Sequence, residues 1–563
     1  MPFVAIDRVT QAIKAGAEEL FSRQRADGAF TDDPPPSVIG TAGSITALHA
    51  AGLPESAELV ATGAAWLRQS QLPDGGWGGV TGAESGAVPT AVATAALRIT
   101  ARDTSAEAVA AGLRRLAELG GVQAVPDPAI AHLCGQFLAL AGLADPASLR
   151  RLPLAVVLAD RIRRQRISFR TAPFIGLALL QAATDPPHGP GGAAARLAQP
   201  AALRLLRAVD DHEGHTGAFS EDPWPAALVC LGLARAGLAP DLVASIAGFL
   251  HRVMRADGSW DAVANLDLTR SAFAATGLIA AGYAGTPQLG LTRELFHRCQ
   301  QRNGFTVLGC PAGGWSYSGP DGWPVTLESA EILSALARLP GHETDPVLRT
   351  GIAWLIGRQD RRGSWSLWVR DTKLPNDGPC PGITAQGIVA LLDAGHSPGS
   401  RPVTAAVRWL LSEARPDGTF ENLWYRDFTS GTAMALDALC QAGQAEQPAC
   451  HGARDWLIAA QRADGSWGDG TASCPGSVEE TAWALPALLA AGVPPSSAAV
   501  QRGIEWLLQA QQPDGSWQPS RVCAYIRHVM HYPNGAITRG HALRALAAYR
   551  DAMRSDGTAA GAR

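Results

Sequence analysis

Stretches rich in Ala and Leu alternate along the chain with short polar turns built on Asp-Gly. Thr481-Ala-Trp-Ala-Leu-Pro-Ala-Leu-Leu-Ala-Ala-Gly492 is typical. Its apolar spacing predicts a helix that stops at Gly492, where a positive φ costs glycine nothing. Runs of alternating β-branched residues are sparse, so few strands are expected. The pattern predicts a mainly helical protein made of paired helices.

The turns repeat. Gln71-Leu-Pro-Asp-Gly-Gly-Trp77 recurs as Gln461-Arg-Ala-Asp-Gly-Ser-Trp467 and as Gln511-Gln-Pro-Asp-Gly-Ser-Trp517, with weaker copies ending at Phe30, Trp260, Trp365 and Phe420. In six copies another aromatic stands 11 residues earlier: Trp66, Phe249, Trp354, Trp409, Trp456 and Trp506. The stretch between reads as a helix end, then a turn in which Asp caps locally and Gly takes positive φ. The Gln, Gly and Trp residues are expected to tie helices together. Pairs repeating at roughly 50 residues can stack as an open solenoid or close into a toroid, and the spacing alone does not choose. Less regular is the region from the 170s to 210, Arg-rich around Arg161-Ile-Arg-Arg-Gln-Arg166 and with a His188-Gly-Pro-Gly-Gly192 insert read as a surface loop.

Composition narrows the classes of function. The 563 residues suggest two to four domains, and 47% hydrophobic against 17% charged residues excludes disorder. A net charge of −4 argues against a nucleic-acid binder, and lysine occurs only as Lys14 and Lys373. No run approaches the ~20 apolar residues of a membrane span, and the start lacks a signal pattern. The nine Cys are scattered without a CxxC pair, which predicts buried thiols and a cytoplasmic protein rather than a disulfide scaffold. Peripheral contact with a membrane leaflet and a homodimer stay open. Asp210-Asp-His-Glu-Gly-His215 has metal-ligand residue types but reads as a solvated loop. His528 and His531 lack an obvious third ligand, so no metal site is expected.

The Gln…Asp-Gly-Ser-Trp repeat resembles the QW motif of squalene–hopene and oxidosqualene cyclases. Gly313-Gly-Trp-Ser-Tyr317 with Gly322-Trp-Pro-Val325 resembles the segment leading into that family's acid motif. Gly363-Ser-Trp365 through Lys373-Leu-Pro375 to Ile383-Thr-Ala385, and Ser477-Val-Glu-Glu-Thr-Ala482, resemble later blocks. The resemblance implies an all-α fold of two α/α barrels with a large apolar cavity between or within them. It implies that 1–30 pack with a catalytic-type barrel at 295–563, and that 31–294 form an inserted barrel. It also implies class II chemistry, in which a carboxylic acid protonates an alkene or epoxide of a folded polyprenyl chain and aromatic faces stabilise the cations. The partner implied is an isoprenoid small molecule. No cofactor is required, although Mg²⁺ accompanies diphosphate substrates in related enzymes.

The acid motif departs from the family. The bacterial pattern Asp-x-Asp-Asp-Thr falls here on Val325-Thr-Leu-Glu-Ser329, so the central Asp, the proton donor, becomes Leu327 and the last becomes Glu328. The family's Asp-x-Thr-Ala-His segment falls on Gly382-Ile-Thr-Ala-Gln386, with Gln386 in place of the His that hydrogen-bonds the acid. Gln can donate a hydrogen bond but carries no cationic charge. Glu328 is the first candidate for a relocated acid; the other reading has it cap or line the next helix. Asp427 aligns with a cavity-lining stretch, beside Arg426, which could pair with it or with a diphosphate; otherwise it is a surface Asp. Asp267 echoes the acid motif one repeat too early and otherwise reads as a helix cap. Tyr317 falls where the family places a cation-stabilising aromatic, and Trp315, Trp323, Trp368 and Trp424 could join it or pack structurally. Six Tyr and 13 Phe are few for a C30 cascade, and Tyr532 to His541 lacks an aromatic cluster, which favours a smaller or partly cyclised substrate. The expected function is a divergent class II terpene cyclase-like enzyme with a non-standard acid. Its rivals are a non-catalytic isoprenoid- or lipid-binding member, and a different reaction in the same cavity.

Overall fold

The computed structural model describes residues 4–158, 170–372, 374, 377–471, 473–527 and 529–561. The Arg161–Arg166 run, Lys373, Pro375 and His528 lie outside them. The chain forms two compact units: Met1–Asp33 with Leu266–Ala524 and Pro533–Arg563, and Pro34–Asn265 with Tyr525–Tyr532. The crossing between units thus falls at 265/266 rather than 294/295, because the Asp267–Ala281 helix packs into the first unit's inner ring.

In the first unit an inner ring runs through Asp267–Ala281, Thr326–Arg338, Pro381–Asp393, Asp427–Gln441, Val478–Ala490 and Gly535–Gly561. Each packs on the next, and the last packs on the first, which closes the ring. These helices are buried nearly all round over most of their length, and polar residues such as Glu328, Glu331 and Glu480 are buried in them along with the apolar ones. Outer helices alternate with them: Pro287–Cys299, Pro346–Arg358, Arg401–Ser412, Pro448–Ala460 and Ala498–Gln509, with Ile6–Ser22 covering Gly535–Gly561. Several open with proline in the first turn, where its missing N–H costs nothing. Helix-to-helix alternation therefore yields a toroid, not an open stack.

The repeated turns make the ties. Each Trp indole N–H donates to a carbonyl ten residues back: Trp365 to Leu355, Trp467 to Leu457 and Trp517 to Leu507, at 2.8, 2.7 and 3.0 Å. The Trp backbone N–H reaches a hydroxyl on the following inner helix, as from Trp365 to Thr384 and from Trp467 to Thr481. The repeat's Gln amide bridges its own turn to the next outer helix. Gln461 donates to Gly465 O and Ala499 O, and Gln511 to Gly515 O and to Ala12 O of the first helix, which joins the end of the ring to its beginning. The Trp467 ring lies where a side chain on Gly503 would stand, 2.7 Å from that Cβ position, so this outer-helix site must be glycine.

The second unit repeats the scheme. Val38–Ala51, Ala87–Thr100, Pro128–Leu140, Thr171–Thr184 and Pro223–Ala236 form a closed inner ring among the described residues. Trp260 N donates to Thr41 Oγ1 at 3.0 Å and closes it. The His188–Gly192 stretch is not a loop: Gly189–His212 is one helix, started by Pro190 in its first turn. Asp210 and Glu213 are buried rather than solvated, accepting from Gly217 N and Ser220 N. A small hairpin, Cys523–Ile526 with Met530–Tyr532, is the described sheet. Its Tyr525 hydroxyl lies 2.7 Å from both oxygens of Asp222, whose carboxyl burial pushes up to about 8. No helix among the described residues is long and apolar enough to cross a membrane.

Candidate active site at the mouth of the first barrel

The ties set a register for the inner helices. The hydroxyl that receives each Trp N–H marks the same position on successive helices: Ser271 for Phe30, Ser329 for Trp315, Thr384 for Trp365, Thr432 for Phe420 and Thr481 for Trp467. Ser329 thus stands where the motif comparison put the family's Thr. Glu328, one residue earlier, is in the first turn of Thr326–Arg338. Its carboxyl is buried and accepts from Thr269 Oγ1, 2.8 Å away on the neighbouring inner helix. Burial pushes it up to about 7, and Glu331 nearby adds to the rise. A carboxyl removed from water with one hydroxyl donor keeps its proton near neutrality.

One turn deeper, two residues past the register hydroxyl, stand Phe273, Glu331, Gln386, Met434 and Trp483. Gln386 donates to Glu331, at 3.3 Å, and not to Glu328. Glu331 also receives Thr276 Oγ1 at 2.7 Å and Arg544 at 3.5 Å. Trp483 donates to His541 Nε2 at 3.1 Å, and the His541 ring also lies 5.5 Å from Phe273. Burial, with the Arg544 charge adding, drives this imidazole well below its usual range, so it stays neutral. Tyr425 packs on Trp483 at 4.9 Å, so the aromatic cluster missing from Tyr532 to His541 as a sequence is assembled from several helices. Glu331, Gln386, Met434 and Trp483 of this layer, with Ser334, Asp437 and Arg544, line a narrow, mainly apolar slot of about 50 Å³. That volume holds a few waters.

The remaining candidates divide. Tyr317 is half-buried, and its carbonyl accepts from Leu268 N and Thr269 N at 3.1 and 3.2 Å, which seats it beside the residue that holds Glu328. Leu327 is buried at the mouth. Trp368 and Trp424 meet edge to face at 5.3 Å. Trp315 is a tie, not a cavity wall: its indole donates to Phe296 O at 2.7 Å and its ring covers Gly351, while Gln300 bridges Gly313 and Val347. It is a further copy of the repeat, disguised by the absence of Asp-Gly before the Trp. Trp323 is likewise enclosed in the core, edge-on to Phe305 at 4.9 Å. Asp267 is an ion-pair partner of Arg25, at 2.5 Å, near the start of its helix. Asp427 opens Asp427–Gln441 with φ 37°. Arg426 does not pair with it but with Glu480, at 2.5 Å; burial raises Glu480 to about 7 against the pull of that guanidinium.

Glu331, Asp437, Trp483, His541 and Arg544 were not singled out from the sequence. The repeat points to two of them, because aligning it on the Ser or Thr after each Trp puts Glu331, Gln386 and Trp483 in one register. Among the described residues no three His, Cys, Asp or Glu gather as a metal site.

Comparison with known proteins agrees with this architecture. The profile of the squalene-hopene cyclase N-terminal domain matches residues 13–161, and that of the C-terminal domain matches 366–550. Squalene–hopene cyclase of Bradyrhizobium diazoefficiens is 28% identical over 223 residues, 34% of this chain and 34% of that protein. Ent-copalyl diphosphate synthase of Streptomyces sp. KO-3988 is 30% identical over 190 residues, 32% of this chain and 36% of that protein. The matched part thus spans about a third of the length of these curated relatives. The solved ent-copalyl diphosphate synthase from Streptomyces platensis superposes with a TM-score of 0.58 at 20% identity, covering 97% of this chain and 99% of that one. The fold is therefore the all-α double α/α barrel of class II terpene cyclases. The chain belongs to the squalene–hopene cyclase family.

Proposed function

We propose that the protein is a class II terpene cyclase that acts on a polyprenyl-derived substrate, with Glu328 as the proton donor in place of the family's central Asp. The observation that supports this is the buried Glu328 carboxyl, held by Thr269 at the barrel mouth and pushed up to about 7. In the reaction the Glu328 proton passes to an epoxide oxygen or an activated alkene carbon and leaves a carboxylate. The carbon–oxygen or π bond opens to a cation, successive alkenes close rings, and the last cation loses a proton, so the net change is isomerisation. An acid near 7 is a weaker donor than an ordinary carboxylic acid, which suits an activated substrate end over a plain alkene. Trp368, Trp424 and Tyr317 supply the aromatic faces.

The test is incubation with squalene, oxidosqualene, the C15 to C25 prenyl diphosphates and their terminal epoxides, with and without Mg²⁺, read by mass spectrometry. An isomeric cyclic product that disappears in Glu328→Gln, while Asp427→Ala retains it, supports the assignment. A product that persists in Glu328→Gln overturns it.

A further inference from the structure

Arg270 lies in the first turn of the Asp267–Ala281 helix, one residue before the register hydroxyl Ser271. The same position on other inner helices carries Glu328 and Glu480. Both acids are buried, and both have a partner from the preceding inner segment of the ring: Thr269 for Glu328, Arg426 for Glu480. Arg270 breaks this rule. It is only 7% exposed, yet among the described residues no carboxylate pairs with it and its Nε has no hydrogen-bond partner.

A guanidinium withdrawn from most of its water without a counter-charge is costly. Such a group is retained where something else completes it. Helical side chains lean towards the N-terminus, so an Arg in the first turn carries its charge to the mouth of the ring. The positive end of the helix dipole adds to the field there. The first free N–H groups of the helix are already taken, since Leu268 N and Thr269 N donate to Tyr317 O. The guanidinium itself is therefore the unsatisfied element.

Resting on the cyclase reading above, we infer that Arg270 receives an anionic headgroup of the substrate, a phosphoryl group on the prenyl chain. The substrate is then a prenyl phosphate or diphosphate rather than a neutral C30 hydrocarbon. Arg270 and Glu328 lie on adjacent inner helices, with Glu328 turned to Thr269, so the two would engage different parts of one folded chain. A planar guanidinium with several donors matches phosphoryl oxygens in number and geometry.

The experiment is calorimetric titration of the full chain with geranylgeranyl diphosphate, inorganic diphosphate and uncharged geranylgeraniol, on wild type, Arg270→Gln, Arg270→Lys and Glu328→Gln. The expected result is binding of geranylgeranyl diphosphate that weakens about tenfold or more in Arg270→Gln, less in Arg270→Lys, and with rising salt. Geranylgeraniol binding should not respond to the substitution. In the ligand-free protein, Arg270→Met should raise the Tm, because it removes an unpaired buried charge. Equal affinity in Arg270→Gln, or a lowered Tm in ligand-free Arg270→Met, overturns the inference. Inorganic diphosphate binding as tightly as the prenyl diphosphate, and through Arg270, would make this a free-anion site and overturn the substrate assignment. Glu328→Gln should bind geranylgeranyl diphosphate as wild type does, and Arg270-dependent binding with no cyclic product from wild type sinks the proton donor and leaves the anion site standing.

Discussion

The seam and the interior of the first barrel are built from the same six inner helices and obey different rules. Along the seam the copies ending at Trp315, Trp365 and Trp467 do the same thing: an indole caps a carbonyl, a hydroxyl caps the Trp backbone, and a Gln spans to the next outer helix. Donors and acceptors there are matched. Inside the ring, equivalent register positions carry Arg270, Glu328 and Glu480 in one layer and Phe273, Glu331, Gln386 and Trp483 in the next. There polar groups are buried, several are raised well above their usual range, and Gln386 Oε1 and Arg270 Nε have no partner. Uniformity marks what closes the toroid; irregularity marks where chemistry can be placed.

The sharpest break between the two regions would come from Glu328→Gln. Removing a general acid typically costs 10²–10⁴-fold in rate, so turnover should fall by about that factor while the protein stays folded, with a Tm equal to wild type in acid and higher near pH 7. A parallel loss of folding, seen by circular dichroism, would assign Glu328 to the seam's kind of role instead. The converse variant is Trp467→Ala. It opens a cavity beside Gly503 and removes the bond to Leu457, and a fall of about 3–5 kcal/mol is expected in urea unfolding. Trp315→Ala should behave the same way, as a tie, with no separate effect on product distribution.

Next in size is the response to pH. Glu328 has a folded value of about 7 against an ordinary 4.5. Between those values the folded form holds a proton that the unfolded chain has released. Stability should therefore fall as pH rises from 4.5 to 7 and level off above, by roughly 3 kcal/mol for this group alone. Turnover should decline as pH rises through about 7. Denaturation midpoints across that window should show a shallower slope in Glu328→Gln. The smallest effect expected is Gln461→Ala, which deletes two amide bonds of the seam at roughly 1–2 kcal/mol, measurable as a shift in the urea midpoint without a change in activity.

The seam was readable from sequence because it recurs: a Gln, Asp-Gly and Trp in order encode the turn, the cap and the bridge each time. Trp315 is not legible as a tie because its turn is Gly-Gly without the Asp, which leaves it looking like a cavity aromatic. The position of Glu328 was readable because the motif fixes it one residue before a seam hydroxyl. Its neighbours were not. Gln386 stands by family likeness at the position of the acid's His partner, yet it meets Glu331, one turn further in, which sequence separation does not reveal. Asp267 and Arg426 were candidates by residue type, and their partners, Arg25 and Glu480, are far away along the chain. At Gly189–His212 the Gly and Pro residues suggest a loop by type, whereas Pro in a first turn starts a helix. Arg270 drew no notice because nothing in a sequence announces an absent partner.

The bond from Gln511 to Ala12 joins the last repeat to the first. An open array has terminal repeats that contact one neighbour only, and it frays from them. A closed ring has none, so each helix pair is held on both sides and local opening must break two seams at once. The barrel should then melt as one cooperative block, and its point of entry along the ring becomes arbitrary. Cutting the chain in any outer turn and rejoining it elsewhere would leave the same number of seams, provided the Gln511 bridge survives.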